Sequence, residues 1–143
     1  MVDITGKPEV YREAVAEGRI YLKKETIMAI VDRKVKKGDV FEVSRVAAIQ
    51  AVKGTPRILP LCHPIRITSV EVSFSVADDH VKVSVRVKAH ERTGVEMEAL
   101  TGVMAALLNI WDMVKYLEKD ETGNYPTTRI EGVRVVSKVK SDA

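Results

Sequence analysis

Cys62 is the only cysteine, so no disulfide can form within the chain and nothing points to an oxidising compartment. Aromatic residues make up only 5%, which argues against a surface that stacks nucleic-acid bases. Neither sign of charge dominates: 23 basic residues face 20 acidic ones, a net +3. The densest basic clusters, 33-RKVKK-37 and 134-RVVSKVK-140, are short. Nucleic-acid binders usually carry basic stripes or long runs. The opening MVDITGKPEV has no apolar signal segment, and the apolar run 103-VMAALL-108 is too short to span a bilayer. The expectation is a cytoplasmic enzyme or binding protein with no nucleic-acid or membrane partner.

What is present suits one compact domain over residues 1–143, with 45% hydrophobic residues for a core and 30% charged residues for a solvated surface. Residues 8–17 read as a short element ending at Gly18, and 19-RIYLK-23 as a short strand. A helix follows over 24–31, then a basic turn, 32-DRKVKKGD-39, whose Asp39 can cap a second helix over 40–52. Pro60 and Pro64 predict an extended, rigid segment over 57–68. Strict alternation over 67–76 and 81–89, joined by 77-ADDH-80, predicts a hairpin. A long helix spans about 95–119 and a last strand 129–139. The class is α+β, an antiparallel sheet with helices packed on one face, and a ferredoxin-like sandwich is the simplest topology.

The long helix poses the chemical question. At ~100° per residue, Glu98, Thr101, Ala105, Asn109 and Asp112 share a polar stripe, with Lys115 at its edge, opposite Val103, Leu107, Ile110 and Val114. The stripe is narrow and made of small residues, which lets another backbone or a ligand approach. Asp112 and Lys115 are three apart and can touch, either as a weak surface ion pair or as an acid/base couple. Glu98 and Asp112 stand ~21 Å apart along the axis, so they serve a long ligand or the sites of two different copies. Glu96 and Glu98 also offset the positive end of the helix dipole. In 59-LPLCHPI-65, Cys62 reads as a small buried hydrophobe or as a nucleophile, and His63, fixed beside Pro64, as a positioned polar group. One cysteine and three scattered histidines give no structural zinc set, so no metal site is expected.

Four stretches together resemble one family: 37-KGDVF-41 with 44-SRVAAIQAVK-53, then 59-LPLCHPI-65, 94-GVEMEALTGVMAAL-107 and 111-WDMVK-115. They are similar to the cyclic pyranopterin monophosphate synthases of molybdenum-cofactor biosynthesis, from about Val2 to Lys138. The resemblance implies a reaction. A guanosine triphosphate already cyclised between ribose C3′ and purine C8 is rearranged to a pyranopterin with a cyclic phosphate, and diphosphate is released. It implies Asp112 as catalytic acid/base, Lys115 as its lysine partner and Lys37 as a second essential lysine. Leu61, Cys62, His63, Met97 and Glu98 are implied as substrate-binding, Lys138 as a phosphate ligand, and Glu96 as part of the same motif. It implies no cofactor beyond Mg²⁺ that can accompany the triphosphate, and a homohexamer, a trimer of dimers, with active sites at subunit interfaces. Arg92 stands where the family often has lysine.

Overall fold

The computed structural model describes residues 1–142. In chain order the elements are β1 (Val10–Tyr21), α1 (Lys24–Val31), α2 (Val40–Lys53), the one-turn α3 (Thr55–Ile58), β2 (Ile67–Val76), β3 (His80–Glu91), α4 (Glu96–Glu118) and β4 (Arg129–Ser141). The four strands pair antiparallel in the order β2-β3-β1-β4. Helices between β1 and β2 and between β3 and β4 complete the split β-α-β arrangement of the ferredoxin-like sandwich. One sheet face is covered. Val81, Val83, Val85 and Val87 are wholly buried, while the alternating Lys82, Ser84, Arg86 and Lys88 point to the other face.

The hairpin forms where alternation predicts it, with Val76 opposite Val81 and Ala77 N–H donating to His80 C=O across the turn. Asp39 caps α2 as expected, its carboxylate accepting from Glu42 N–H at 3.1 Å.

Three expectations need correction. Residues 10–21 form one uninterrupted strand, not two short elements parted at Gly18. Glycine is required there for packing rather than for a turn. A Cβ at position 18 would lie 2.8 Å from Leu107 Cδ1 and 2.9 Å from Val103 Cγ1, so the missing side chain lets α4 lie close on the sheet. The segment from 57 is not extended throughout. Arg57 and Ile58 close the single turn of α3, with Pro56 in that turn, and Cys62 N–H then donates to Leu59 C=O at 3.0 Å. Pro56 sits where an amide hydrogen has no helical partner to lose.

The third correction concerns α4. Glu98 leaves the polar stripe and is 1% exposed. The exposed row instead runs Met97, Met104, Leu108, Asp112 and Tyr116, apolar for most of its length. Sheet and α2 bury the remaining circumference. A Cβ at Gly102 would come within 2.8 Å of Val52 Cγ2, so α2 does approach the small-residue track closely, and Asn109 donates to the buried Ser44 hydroxyl at 3.0 Å. Helix α4 is the one described helix long and apolar enough by composition to cross a membrane, but half of its apolar window is buried in this core. At its end the buried Glu118 carboxyl accepts from Lys23 N–H and from the Thr26 and Thr128 hydroxyls, joining α1 to the approach of β4.

Candidate functional site

Two groups of candidate residues form, at opposite ends of α4. Near its C-terminal end, Asp112 lies between two ammonium groups. Lys115 Nζ, one turn along the helix, is 3.1 Å from Oδ1, and Lys37 Nζ, from the turn between α1 and α2, is 3.2 Å from Oδ2. Lys37 also donates to the Asp112 backbone carbonyl at 3.0 Å. The contact joins residues 75 apart in sequence. All three side chains are about half exposed. Hydrogen bonds from Lys115 and then Lys37 hold the Asp112 carboxyl below the usual aspartate range. At neutral pH it is therefore a carboxylate, ready to take a proton, flanked by two cations suited to phosphate oxygens. Among the described residues, the clefts of about 560, 470 and 420 Å³ are lined by other side chains.

At the N-terminal end of α4 the structure has a cleft of about 420 Å³. Leu61, Cys62, His63 and Met97 line it, together with Glu96 and Lys7. Lys138 Nζ reaches Glu96 Oε1 at 3.3 Å, bringing the end of β4 to the same place. Glycine at 94 leaves room for the Glu96 carboxylate, which would have to shift if a Cβ stood there. Three buried polar atoms have no hydrogen-bond partner among the described residues, Arg12 Nη2, Glu96 Oε2 and Glu98 Oε1. Of these only Glu96 lines the cleft, and its unpaired oxygen suits a polar ligand there, since buried polar atoms rarely stay unpaired. Arg92 and His63 meet in an adjoining hollow under the first residues of the chain.

The two glutamates of the motif differ sharply. Glu96 faces the cleft. Glu98 lies beneath Cys62, its Oε2 3.8 Å from the Sγ, so it reaches the cleft through that thiol. Burial pushes the Glu98 carboxyl up, and burial together with Glu98 pushes the Cys62 thiol up. A thiol held protonated is a weak nucleophile, and Cys62 is a partly exposed part of the cleft wall rather than the small buried group of one sequence reading. A raised carboxyl also has a signature in stability. The advantage of the protonated form is full below the unfolded glutamate range, around pH 4.3, and is lost as pH rises through the folded value. Replacing Glu98 with Gln removes the charge at every pH. The variant should match wild type in Tm near about pH 4 and exceed it by a few degrees near about pH 8. A gap that stays constant with pH would show that the buried charge is not the cause.

Sequence reading missed Lys7, Val2 and Ile4 as cleft residues, because the first nine residues have no periodicity that places them. It also missed the tyrosine one turn beyond Asp112, whose hydroxyl accepts from Lys36 N–H at 2.9 Å.

Residues 1–141 match the MoaC family. A relative from Aeropyrum pernix is 62% identical over 140 residues, 98% of this chain and 96% of its own length. One from Methanoregula boonei is 58% identical over 140 residues, 98% and 90% of the two lengths. Another from Thermococcus kodakarensis is 56% identical over 142 residues, 99% and 91%. Each carries the name probable cyclic pyranopterin monophosphate synthase. With the whole described sandwich inside the matched span, the chain belongs to the MoaC family.

Proposed function

We propose that the chain converts (8S)-3′,8-cyclo-7,8-dihydroguanosine 5′-triphosphate to cyclic pyranopterin monophosphate with release of diphosphate. The observation that carries this reading is the Lys37–Asp112–Lys115 trio, a carboxylate held deprotonated between two cations. Forming the cyclic phosphate requires a sugar hydroxyl to attack the α-phosphorus. Asp112 takes the hydroxyl proton, the new P–O bond forms, and the bond to diphosphate breaks. Lys37 and Lys115 offset the charge that grows on the leaving oxygens. Leu61, Cys62, His63 and Met97 hold the fused rings, Glu98 supports them from beneath Cys62, and Glu96 with Lys138 serves the polar rim. Mg²⁺ enters only as companion of the triphosphate, and no cofactor is resident. A nucleotide-derived substrate fits a cytoplasmic setting.

The trio and the cleft are about 20 Å apart along α4, too far to serve one substrate within one chain. Assembly of copies as a homohexamer, a trimer of dimers with interface sites, resolves this. The exposed row between them, Met97, Met104 and Leu108, borders an apolar groove of about 470 Å³ that Ile58, Leu100 and Ile130 also line. Such a patch suits a partner surface. A second copy is the occupant that fits, for a positional reason. Positions 97 and 112 are equidistant from the middle of the row, near Met104 and Ala105. Two α4 helices packed antiparallel about a two-fold axis there set Asp112 of one copy beside the cleft end of the other, twice over.

The experiment is to supply the cyclised nucleotide and follow diphosphate. Stoichiometric release with pterin formation supports the reading, and unchanged substrate overturns it. Adding a chelator separates the role of Mg²⁺.

A further inference from the structure

We propose that Tyr116 is a positioning residue that sets Lys37 against Asp112 by gripping the turn that carries it. This rests on the assignment of Asp112 and Lys37 above, and adds a residue that touches neither substrate nor the reacting atoms.

Lys37 stands in the turn between α1 and α2, a segment bracketed by two left-handed residues, Arg33 at φ 57° and Gly38 at φ 117°. Within the turn, Gly38 N–H donates to Val35 C=O at 3.1 Å, and Val35 is buried. Two links join the turn to the side of α4 that bears Asp112. One is the Lys37 side chain itself. The other is the adjacent residue, Lys36, whose N–H donates to Tyr116 Oη at 2.9 Å while its ammonium lies 5.3 Å from the centre of the Tyr116 ring. Tyr116 sits one helical turn beyond Asp112 on the same exposed row, so one short stretch of α4 holds both the partner of Lys37 and the anchor of its backbone.

The physical reason for needing the anchor is entropy. A lysine side chain has many rotamers, and an exposed ion pair alone orders it poorly. Fixing the peptide next to Lys37 shortens the search its ammonium makes for the Asp112 carboxylate. A tyrosine does this better than a charged residue would. Its hydroxyl accepts the hydrogen bond without adding a further charge beside Lys36, Lys37 and Lys115, and its rigid ring has few torsions to order.

Tyr116→Phe removes one oxygen and keeps the ring. The groups facing the Asp112 carboxylate are Lys37 from the turn and Lys115 from α4, with Lys36 and Tyr116 beyond them. Loss of the anchor weakens only the Lys37 contact. The Asp112 carboxyl resonance, followed by NMR through a pH titration of the intact assembly, should therefore move its midpoint upward in the variant. Turnover should fall on the order of fivefold, with little change in KM or Tm. In a Lys37→Ala background, Tyr116→Phe should do nothing further to either readout. An unchanged Asp112 midpoint in Tyr116→Phe, or an equal upward shift when Lys37 is already absent, overturns the proposal. The titration needs no substrate, so it decides the tether even if diphosphate release fails and the functional reading falls.

Discussion

Replacing Asp112 with asparagine leaves a folded, assembled protein that forms product at least about a hundredfold more slowly, the usual loss when a general base is removed. The substitution keeps the shape of the side chain but leaves one oxygen to accept where two did, so one of the contacts from Lys37 and Lys115 is lost. It removes the charge that lets the group take a proton. The carboxyl is about half exposed, so folding does not rely on it, and thermal unfolding should change little. Two ammonium groups keep it ionised at a pH where an isolated carboxylate would already be protonating. In wild type, catalysis that needs the bare carboxylate should accordingly persist further into acid than an ordinary aspartate allows. Lys37→Ala takes away one of the two hydrogen-bonded cations and should bring the acid limb of kcat/KM back up. The comparison is informative because the two substitutions act on one group in different ways. The asparagine variant abolishes the limb together with the activity, and the alanine variant moves it. Normal turnover by the asparagine variant would remove Asp112 from the chemistry and leave the trio as a surface ion cluster.

Leu108→Glu should yield smaller, folded and inactive species. Leu108 is 64% exposed in the single chain, so a carboxylate there costs the fold almost nothing. In the proposed pairing of two α4 helices it would enter the apolar seam between the copies, where an unpaired charge is strongly disfavoured. Sedimentation reads the assembly and diphosphate release reads the activity. A sharper version mixes two inactive proteins, Asp112→Asn and His63→Ala, after reversible dissociation. If each site takes its trio from one copy and its cleft from the other, a mixed pair holds one site with both defects and one with none. An equal mixture should then recover about a quarter of wild-type activity, since half the pairs are mixed and half their sites are intact. No recovery, with subunit exchange shown by mass, would confine the site to one chain. Full activity in dissociated Leu108→Glu would do the same.

Much of the fold was legible in the sequence, and the reasons can be given element by element. The valines of β3 alternate with Lys82, Ser84, Arg86 and Lys88 because that strand has one covered face, and a period of two writes this directly into the chain. Asp39 announces α2 because capping is a contact between near neighbours. Gly18 misled for the opposite reason. A glycine can open a turn or admit a helix, and only the approach of Leu107 and Val103 decides which. Glu98 misled likewise. Rotation about α4 grouped it with Asp112, but the helix is enclosed more completely at its start, where β3, α2 and the segment around Cys62 meet, than near Asp112.

The residue types of the candidate site, with the family they resemble, were present in the sequence itself: Lys37, Asp112, Lys115, and the Leu61–His63 segment with Met97. Local spacing also placed Asp112 beside Lys115, since helical neighbours need nothing from the rest of the molecule. Tertiary structure alone brought Lys37 to the same carboxylate from 75 residues away and laid the first residues of the chain along the cleft. Contacts between distant segments depend on how whole elements pack, and no short-range period in a sequence records that.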